Sequence, residues 1–290
     1  LTQPTGLSAN ITPIALTVTG TTAANRQYDG TTTAALSGGT LVGVLGTEDV
    51  TLTQTGSFAD KNVGTAKLVT ATDTLGGTDM GNYSLTQPTG LSANITVKPL
   101  NITGTTVANK VYNGNTSASV TAWGSLSGLV STDAVNFSST DANFDTKNVG
   151  TGKTVTITGV TLTGTDAANY SIASTATATA DITPKTLTIT GTTVSSKVYD
   201  ATTTANVTAL GSLSGLVGSD VVTVSSTGAT FDSKNVGTGK TVTLAGVSRA
   251  STDAGNYTID STATTTANIT PKALTVTGIT AADKVYDGTT

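Results

Sequence analysis

The sequence predicts an all-β fold built as a tandem array of small repeats. Three observations carry that prediction: landmarks recur at a nearly constant spacing, apolar residues alternate with small hydroxyl residues, and turn-forming dipeptides separate the alternating stretches. Alternation with a period of two is typical of strands with one buried face, whereas an amphipathic helix needs a period of about 3.6 residues. No convincing helical pattern interrupts the alternation.

Four landmarks recur in a fixed order along the chain. They are a Tyr-Asp-Gly-like turn, a Lys-Asn-Val-Gly tetrapeptide, an Asn-Tyr pair and an Ile-Thr pair, and the turn tyrosine recurs in steps of 84, 87 and 87 residues. Self-similarity at a fixed period indicates a repeat architecture. We therefore predict a structural role in every repeat for the residues that mark the first three landmarks: Tyr28, Tyr112, Tyr199 and Tyr286; Asn62, Asn148 and Asn235; and Tyr83, Tyr170 and Tyr257.

The landmarks divide the chain into three repeats and two flanking pieces. Repeat 1 is 14–97, repeat 2 is 98–184 and repeat 3 is 185–271, with 1–13 as the end of a preceding repeat and 272–290 as the start of a further one. Spacing is constant around the joints, as expected if the last strand of one repeat passes almost directly into the first strand of the next. We expect each repeat to bury its own small core and the array to form an elongated rod.

Within a repeat, the pattern favours small antiparallel β modules. Stretches such as 187–190 place apolar side chains on one face, and Asp29-Gly30 supplies a turn position with positive φ. Roughly seven short strands per repeat fit an immunoglobulin-like sandwich. The stretch 253–257 looks like its tyrosine corner, in which the tyrosine hydroxyl bonds to the preceding backbone and the residue two positions later, Ile259, faces the core. Repeat 2 lacks the glycine of this stretch, so a β-grasp-like module stays open as the alternative.

Four stretches together resemble the YDG-type repeat of large bacterial secreted adhesins. They are 284–290 (KVYDGTT), 234–242 (KNVGTGKTV), 253–257 (DAGNY) and 269–272 (ITPK). Repeat 3 departs from the pattern by having Ala201 where the turn glycine stands in the other copies. The resemblance covers the whole chain and implies a filamentous-haemagglutinin-like surface protein, exported to the cell surface. It supplies no catalytic residue.

Three motifs suggest ligand or cross-link chemistry but have simpler interpretations. The Gly-Lys-Thr triplets at 152–154 and 239–241 end like a phosphate-binding loop, yet they lack its earlier glycine and its following helix. Asp79, Asp166 and Asp253 are candidate calcium ligands, but calcium needs several convergent oxygens and aspartate is an ordinary turn residue. An intramolecular isopeptide bond would need three side chains brought together, which the pattern does not indicate.

Composition argues against catalysis and against two classes of partner. The chain has no His and no Cys, so general acid–base and nucleophilic chemistry lack candidates, and we predict no catalytic residue and no cofactor. A net charge of -4 with scattered lysines gives no basic surface for nucleic acid. No apolar run approaches the roughly 20 residues that span a bilayer, so we expect no membrane contact.

These observations predict the structural stalk of a secreted bacterial surface adhesin, located outside the cell and projecting a distal domain. The expected partners are neighbouring repeats of the same chain. The alternative is direct adhesion, in which repeat faces bind glycans or proteins of host or bacterial surfaces through weak contacts multiplied by avidity. Trp123, the single tryptophan, takes the place of Leu210 in the next repeat, which favours a packing substitution over a sugar-binding platform.

Overall fold

A computed structural model describes residues 2–260 and 263–290. Leu1, in the predicted flanking piece 1–13, and Ser261 and Thr262, in repeat 3, lie outside the described residues. The prediction of an all-β chain is confirmed, because the only helical segments in the described parts are three single 3₁₀ turns: Met80–Asn82, Ala167–Asn169 and Ala254–Asn256. Residues 2–13 and 271–290 form no strand.

The strands are short and recur in a similar order in each repeat. Repeat 1 contains β1 (Ile14–Thr19), β2 (Thr22–Ala23), β3 (Arg26–Gln27), β4 (Thr33–Ala34), β5 (Leu36–Ser37), β6 (Thr40–Val42), β7 (Thr51–Thr53), β8 (Gly56–Phe58), β9 (Gly64–Ala71), β10 (Thr74–Gly76), β11 (Tyr83–Thr86) and β12 (Leu91–Thr96). Repeat 2 contains β13 (Lys98–Thr103), β14 (Thr106–Val107), β15 (Lys110–Val111), β16 (Val120–Ala122), β17 (Ser125–Ser127), β18 (Asn136–Ser138), β19 (Asp141–Phe144), β20 (Gly150–Thr158), β21 (Thr161–Thr163), β22 (Tyr170–Ile172) and β23 (Thr175–Thr183). Repeat 3 contains β24 (Lys185–Thr190), β25 (Thr193–Val194), β26 (Lys197–Val198), β27 (Thr204–Ala205), β28 (Val207–Ala209), β29 (Ser212–Ser214), β30 (Thr223–Ser225), β31 (Gly228–Phe231), β32 (Gly237–Ala245), β33 (Ser248–Ala250), β34 (Tyr257–Ile259) and β35 (Thr264–Thr270).

Two main sheets form in repeat 1. One has the strand order β11-β1-β6 and the other the order β3-β12-β9-β8-β4, and the pairs β10-β7 and β2-β5 accompany them. Repeat 3 has the same arrangement, with the orders β29-β24-β34 and β26-β35-β32-β31-β27. In repeat 2 the corresponding three-stranded sheet is β17-β13-β22.

The sheets are mixed, which corrects the prediction of antiparallel modules: most strand pairs are antiparallel, but each repeat also contains parallel pairs. β1 pairs in parallel with β11, with Leu16 opposite Leu85, and β12 pairs in parallel with β3, with Ile95 opposite Arg26. Parallel neighbours need a long crossover, whereas antiparallel neighbours can be joined by a hairpin. Most of the repeat lies between β1 and β11 and between β3 and β12, so the body of the repeat is the crossover.

The joints between consecutive repeats are one residue long. β12 ends at Thr96 and β13 begins at Lys98, so only Val97 separates them, and only Pro184 separates β23 from β24. Because each residue contributes just two soft backbone dihedrals, so short a joint leaves the chain little freedom between the two strands.

One apolar core crosses the boundary between repeats 1 and 2, which corrects the expectation that each repeat buries its own core, whereas a second buried cluster lies within repeat 3 alone. One buried cluster contains Tyr28, Phe58 and Ile95 of repeat 1 together with Leu100 and Tyr170 of repeat 2. The chain divides into two compact units, and repeat 2 contributes to both. Unit 1 contains Leu1–Val107, Ser119–Asn143 and Val155–Ala178, and unit 2 contains Ala108–Ala118, Phe144–Thr154 and Thr179–Thr290.

Candidate functional site

The turn that follows β3 directs Tyr28 into the core of unit 1. The backbone N–H of Tyr28 donates to the carbonyl oxygen of Thr96 at 2.9 Å, and the Asp29 carboxylate accepts the N–H of Thr31 at 2.8 Å. Gly30 adopts φ 82°, a left-handed conformation that side chains disfavour. With its backbone held in this way, the Tyr28 side chain is only 1% exposed.

A 3₁₀ turn places Tyr170 opposite it. Asp166 precedes the turn, and its carboxylate accepts the N–H of Ala134 at 3.0 Å, which ties the turn to the neighbouring loop. Tyr170 follows as the first residue of β22, and its hydroxyl accepts the N–H of Val130 at 3.0 Å. The rings of Tyr28 and Tyr170 meet edge to face with their centroids 5.3 Å apart.

Asp133 is the centre of the contact between repeat 1 and repeat 2. The hydroxyls of Tyr28 and Tyr170 both donate to its Oδ2, at 2.6 and 2.7 Å, and Lys61 Nζ donates to its Oδ1 at 2.9 Å. The Asp133 side chain has 0% exposure. A buried carboxylate is costly unless it is paired and hydrogen-bonded, and here three donors satisfy it.

An asparagine pair extends this contact. Asn169 Oδ1 accepts the backbone N–H of Val63 at 2.9 Å, and its amide nitrogen donates to Asn62 Oδ1 at 3.2 Å. Asn169 is 4% exposed, so these bonds satisfy a polar side chain that water hardly reaches. We call the six residues Tyr28, Lys61, Asn62, Asp133, Asn169 and Tyr170 junction 1.

Unit 2 contains an equivalent set between repeats 2 and 3, which we call junction 2. Tyr112 and Tyr257 both donate to Asp220 Oδ2 at 2.7 Å, and Lys147 Nζ donates to Asp220 Oδ1 at 3.3 Å. Its asparagine pair is Asn148 and Asn256, with Asn256 Oδ1 accepting the N–H of Val149 at 2.9 Å. The two junctions therefore use the same groups in the same geometry.

Burial and hydrogen bonding shift the pKa values in junction 1. Burial raises the pKa of Asp133, but the hydrogen bonds from Tyr28, Lys61 and Tyr170 outweigh burial and hold this pKa below its ordinary value. Burial, together with the hydrogen bond to the Asp133 carboxylate, raises the pKa of Tyr170 to about 12. At neutral pH the junction therefore holds one carboxylate, one ammonium and two neutral phenols.

Three stretches of the chain match the family described as YDG domain: residues 12–90, 96–179 and 183–267. Together they cover well over half of the chain. The chain belongs to the YDG domain family. Comparisons with curated proteins and with solved structures found no match. The junctions described above are thus contacts between consecutive YDG domains.

The structure brings six of the ten predicted motif residues of the YDG domains into the two junctions. Tyr28, Asn62 and Tyr170 meet in junction 1, and the corresponding residues of junction 2 are Tyr112, Asn148 and Tyr257. The other four lie outside them. Tyr83 bonds within its own repeat, Tyr199 is half-buried, Asn235 is exposed, and Tyr286 is 93% exposed in the strandless segment 271–290.

Sequence reasoning missed the acidic residue and the second asparagine of each junction. Asp133 and Asp220 stand 37 residues before Tyr170 and Tyr257, and Glu48 stands 35 residues before Tyr83 in the shorter first domain. An acidic residue at this nearly constant distance is the signal that could have revealed them. Asn169 and Asn256 belong to the Asn-Tyr landmark, of which only the tyrosine was assigned a role.

The hydroxyl of Tyr257, the tyrosine of the predicted corner, does not bond to the backbone just before it as predicted. The Tyr257 hydroxyl accepts the N–H of Val217, 40 residues upstream, and donates to Asp220, so it links distant loops and not adjacent backbone. Ile259 is half-buried and lies opposite Leu187 in a parallel pair. The turn at 253–257 therefore places Tyr257 in the contact between consecutive domains.

The Gly-Lys-Thr triplets lie inside β20 and β32 of their YDG domains. The N–H of Gly152 donates to Asp181 Oδ1 and that of Gly239 to Asn268 Oδ1, each at 2.7 Å. These backbone N–H groups, which a phosphate-binding loop would use to bind its ligand, therefore already donate to side-chain oxygens. In β32 this contact lies at a register shift between Gly237 and Lys240, near the start of the long hairpin strand.

The calcium candidates serve as turn acceptors in the three YDG domains. Asp79 accepts the N–H of Asp49 at 2.8 Å, and Asp253 accepts that of Val221 at 3.0 Å, as Asp166 does with Ala134. Within residues 2–260 and 263–290, no group of three or more His, Cys, Asp or Glu side chains is arranged to hold a metal ion. The described part of the chain also has no helix that could span a membrane.

Stability of the YDG domain contacts is expected to fall at both extremes of pH. The folded pKa of Asp133 lies below the unfolded value of about 3.9, so its contribution is present above that pH and is lost as pH falls through the folded pKa. Tyr170 and Tyr257 have folded pKa values raised to about 12, so their contribution is present below about pH 10 and is lost as pH rises towards 12.

Denaturant unfolding measured across the pH range checks this expectation. The control is the double variant Asp133→Asn, Asp220→Asn, which should be less stable at neutral pH and show a flatter acid limb. An acid limb of unchanged steepness in that variant would assign the titration to other carboxylates.

Proposed function

We propose that this chain is a structural spacer of a secreted bacterial surface adhesin, in which consecutive YDG domains are locked to one another and hold a distal domain. The observation that carries the proposal is the buried Tyr-Asp-Tyr-Lys contact, made twice with the same geometry. A buried ion pair adds little net stability, but each of its groups must find its partner, which favours a single register between domains. The one-residue joints between repeats also favour a single register between consecutive domains.

The adhesin context and the location outside the cell rest on other support. Tandem copies of the YDG-type repeat resemble the arrays of filamentous-haemagglutinin-like surface proteins, and the absence of Cys suits a long chain exported before folding. For the topology of each domain we favour an immunoglobulin-like sandwich over a β-grasp-like module. The described residues contain no helix longer than a 3₁₀ turn that could lie across a sheet.

Small-angle scattering of versions with two and three repeats tests the spacer. We expect the maximum dimension to grow by roughly 35 to 40 Å with each added repeat, an increment estimated from strand rise. Replacement of both Asp133 and Asp220 by alanine should broaden the distance distribution at an unchanged chain length. A maximum dimension that stays constant as repeats are added would contradict a spacer.

Direct adhesion is the alternative, and Trp123 is the residue that could support it, because its side chain lies in repeat 2 with 45% exposure. Exposed aromatic rings are common anchors in binding surfaces. A glycan array and a cell-binding assay with the full chain separate the two proposals. A spacer gives no saturable signal, whereas a signal lost in Trp123→Ala would favour adhesion.

A further inference from the structure

Repeat 2 has Asn113 where repeats 1 and 3 have an aspartate in the turn. In those two repeats the aspartate pairs with the basic residue three positions earlier. Arg26 Nη1 lies 2.6 Å from Asp29 Oδ2, and Lys197 Nζ lies 2.8 Å from Asp200 Oδ1. The asparagine side chain is a neutral amide and cannot form such an ion pair. The turn of repeat 2 therefore keeps the basic residue of the pair and lacks the acidic one.

Lys110 is that basic residue. Its ammonium donates to Asn115 O and Oδ1 at 2.8 and 3.0 Å and to Ser117 O at 2.9 Å, and it lies 5.2 Å from the centroid of the Phe144 ring. It makes no ion pair with any residue of 2–260 or 263–290. Burial lowers the pKa of Lys110, as expected for a half-buried cation without a carboxylate beside it. A negative charge at position 113 would therefore be stabilised by Lys110.

The local sequence and geometry favour loss of the Asn113 side-chain amide. Asn113 is exposed and is the only asparagine of the chain followed by glycine. Gly114 has no side chain to hinder the approach of its own backbone nitrogen to Asn113 Cγ. Asn113 Oδ1 accepts the N–H of Asn115 at 3.3 Å, whereas the aspartates of repeats 1 and 3 accept the equivalent N–H at 2.8 and 2.9 Å. The amide is therefore held less tightly than the carboxylates that replace it elsewhere.

We propose that Asn113 is a site of spontaneous deamidation, and that its aspartate product pairs with Lys110 as the turn aspartates of repeats 1 and 3 pair with their basic residues. The backbone nitrogen of Gly114 attacks Asn113 Cγ, and its proton leaves with the side-chain nitrogen as ammonia. The product of this step is a cyclic imide. Water then opens the ring at Cγ, giving a proton back to the Gly114 nitrogen and leaving a carboxylate on residue 113. This modification does not depend on the spacer function.

The anchoring of the turn favours the ring opening that yields ordinary aspartate. Opening at the other carbonyl, that of the Asn113 backbone, would give isoaspartate and insert an additional carbon into the main chain. Tyr112 immediately precedes this position, with its N–H bonded to Thr183 O at 2.9 Å and its side chain only 1% exposed in junction 2. An inserted carbon would strain the backbone beside this anchored residue, whereas aspartate leaves the backbone unchanged.

Peptide mapping by mass spectrometry tests the modification on the full chain during storage at mildly alkaline pH. Asn113 should lose its amide at least about tenfold faster than Asn115, which is also exposed but precedes the β-branched Thr116. A protease that cuts before aspartate but not before isoaspartate identifies the product. The control Asn113→Ser keeps a side-chain oxygen for the turn and has no amide to lose. An amide that persists at Asn113, or isoaspartate as the main product, overturns the proposal.

The variant Asn113→Asp supplies the product directly and tests its pairing with Lys110. Its melting temperature at low ionic strength should exceed that of freshly prepared wild type by about 1 to 2 °C. Concentrated salt should remove this gain, because salt screens a partly exposed ion pair. The matched control is the same substitution in a Lys110→Gln chain, where no gain is expected. An equal gain in that chain, or no gain over the wild type, overturns the pairing.

Discussion

Replacement of Asp133 by alanine is expected to lower the free energy of unfolding by about 2 to 4 kcal/mol, because it leaves two buried hydroxyl donors without their acceptor. Tyr28 is 1% exposed and Tyr170 is 6% exposed, so water cannot replace the lost carboxylate without opening the core. Lys61 also loses its closest anionic partner, although its partial exposure makes that loss the smaller part. Asp220→Ala should cost a similar amount, since junction 2 has the same donors.

Glu48→Ala is the matched control for this prediction. Glu48 occupies the equivalent position in repeat 1, but it is exposed and accepts from one tyrosine only. Its removal should cost less than about 1 kcal/mol, as for other exposed polar contacts. Guanidinium unfolding followed by circular dichroism measures all three variants, and equal costs at positions 48 and 133 would show that the junction adds nothing at neutral pH.

Gly30→Ala is expected to destabilise the chain by about 2 to 4 kcal/mol through two additive causes. The first cause is the backbone at Gly30, whose φ of 82° brings a Cβ too close to the carbonyl oxygen of the same residue. The second is a steric clash, because that Cβ would lie 2.8 Å from a side-chain carbon of Val130. Gly114→Ala should behave alike because φ is again 82° and Val217 lies at 2.7 Å.

Repeat 3 provides the control for the two causes. Ala201 already adopts φ 65° at the same position and is exposed, so Ala201→Gly should stabilise the chain by about 1 kcal/mol through relief of backbone strain alone. The double variant Gly30→Ala, Val130→Ala should recover part of the loss in Gly30→Ala, once the cost of Val130→Ala alone is subtracted. Thermal unfolding reports each difference, and a double variant with no recovery would assign the whole effect to the backbone.

The junction could be anticipated only in part from the amino-acid sequence. Periodicity singled out Tyr28 and Tyr170, because the same residue at the same place in every repeat is visible without a structure. Asp133 escaped notice because its bond to Tyr28 spans 105 residues, more than one full period. A period shows that copies are equivalent, but it does not show which surface of one copy meets which surface of the next.

The directions of paired strands and the set of residues that share one core could not be predicted from the sequence for a related reason. Alternation assigns side chains to the two faces of a strand, but it does not show whether the neighbouring strand is parallel or antiparallel. The parallel pairing of β1 with β11 depends on a crossover that involves most of the repeat. The shared core follows from the one-residue joint at Val97, which brings Leu100 beside residues of repeat 1.

Repeat 2 uses a tyrosine and a lysine for the contact on one side and an acidic residue and a second tyrosine for the contact on the other, and repeats 1 and 3 carry residues of the same kinds at these positions. Duplication of one period of the gene therefore inserts a working joint at both new boundaries, with no compensating substitution elsewhere. Loss of one period rejoins matching halves in the same manner. Such a chain can change its number of copies by recombination while every boundary keeps its chemistry.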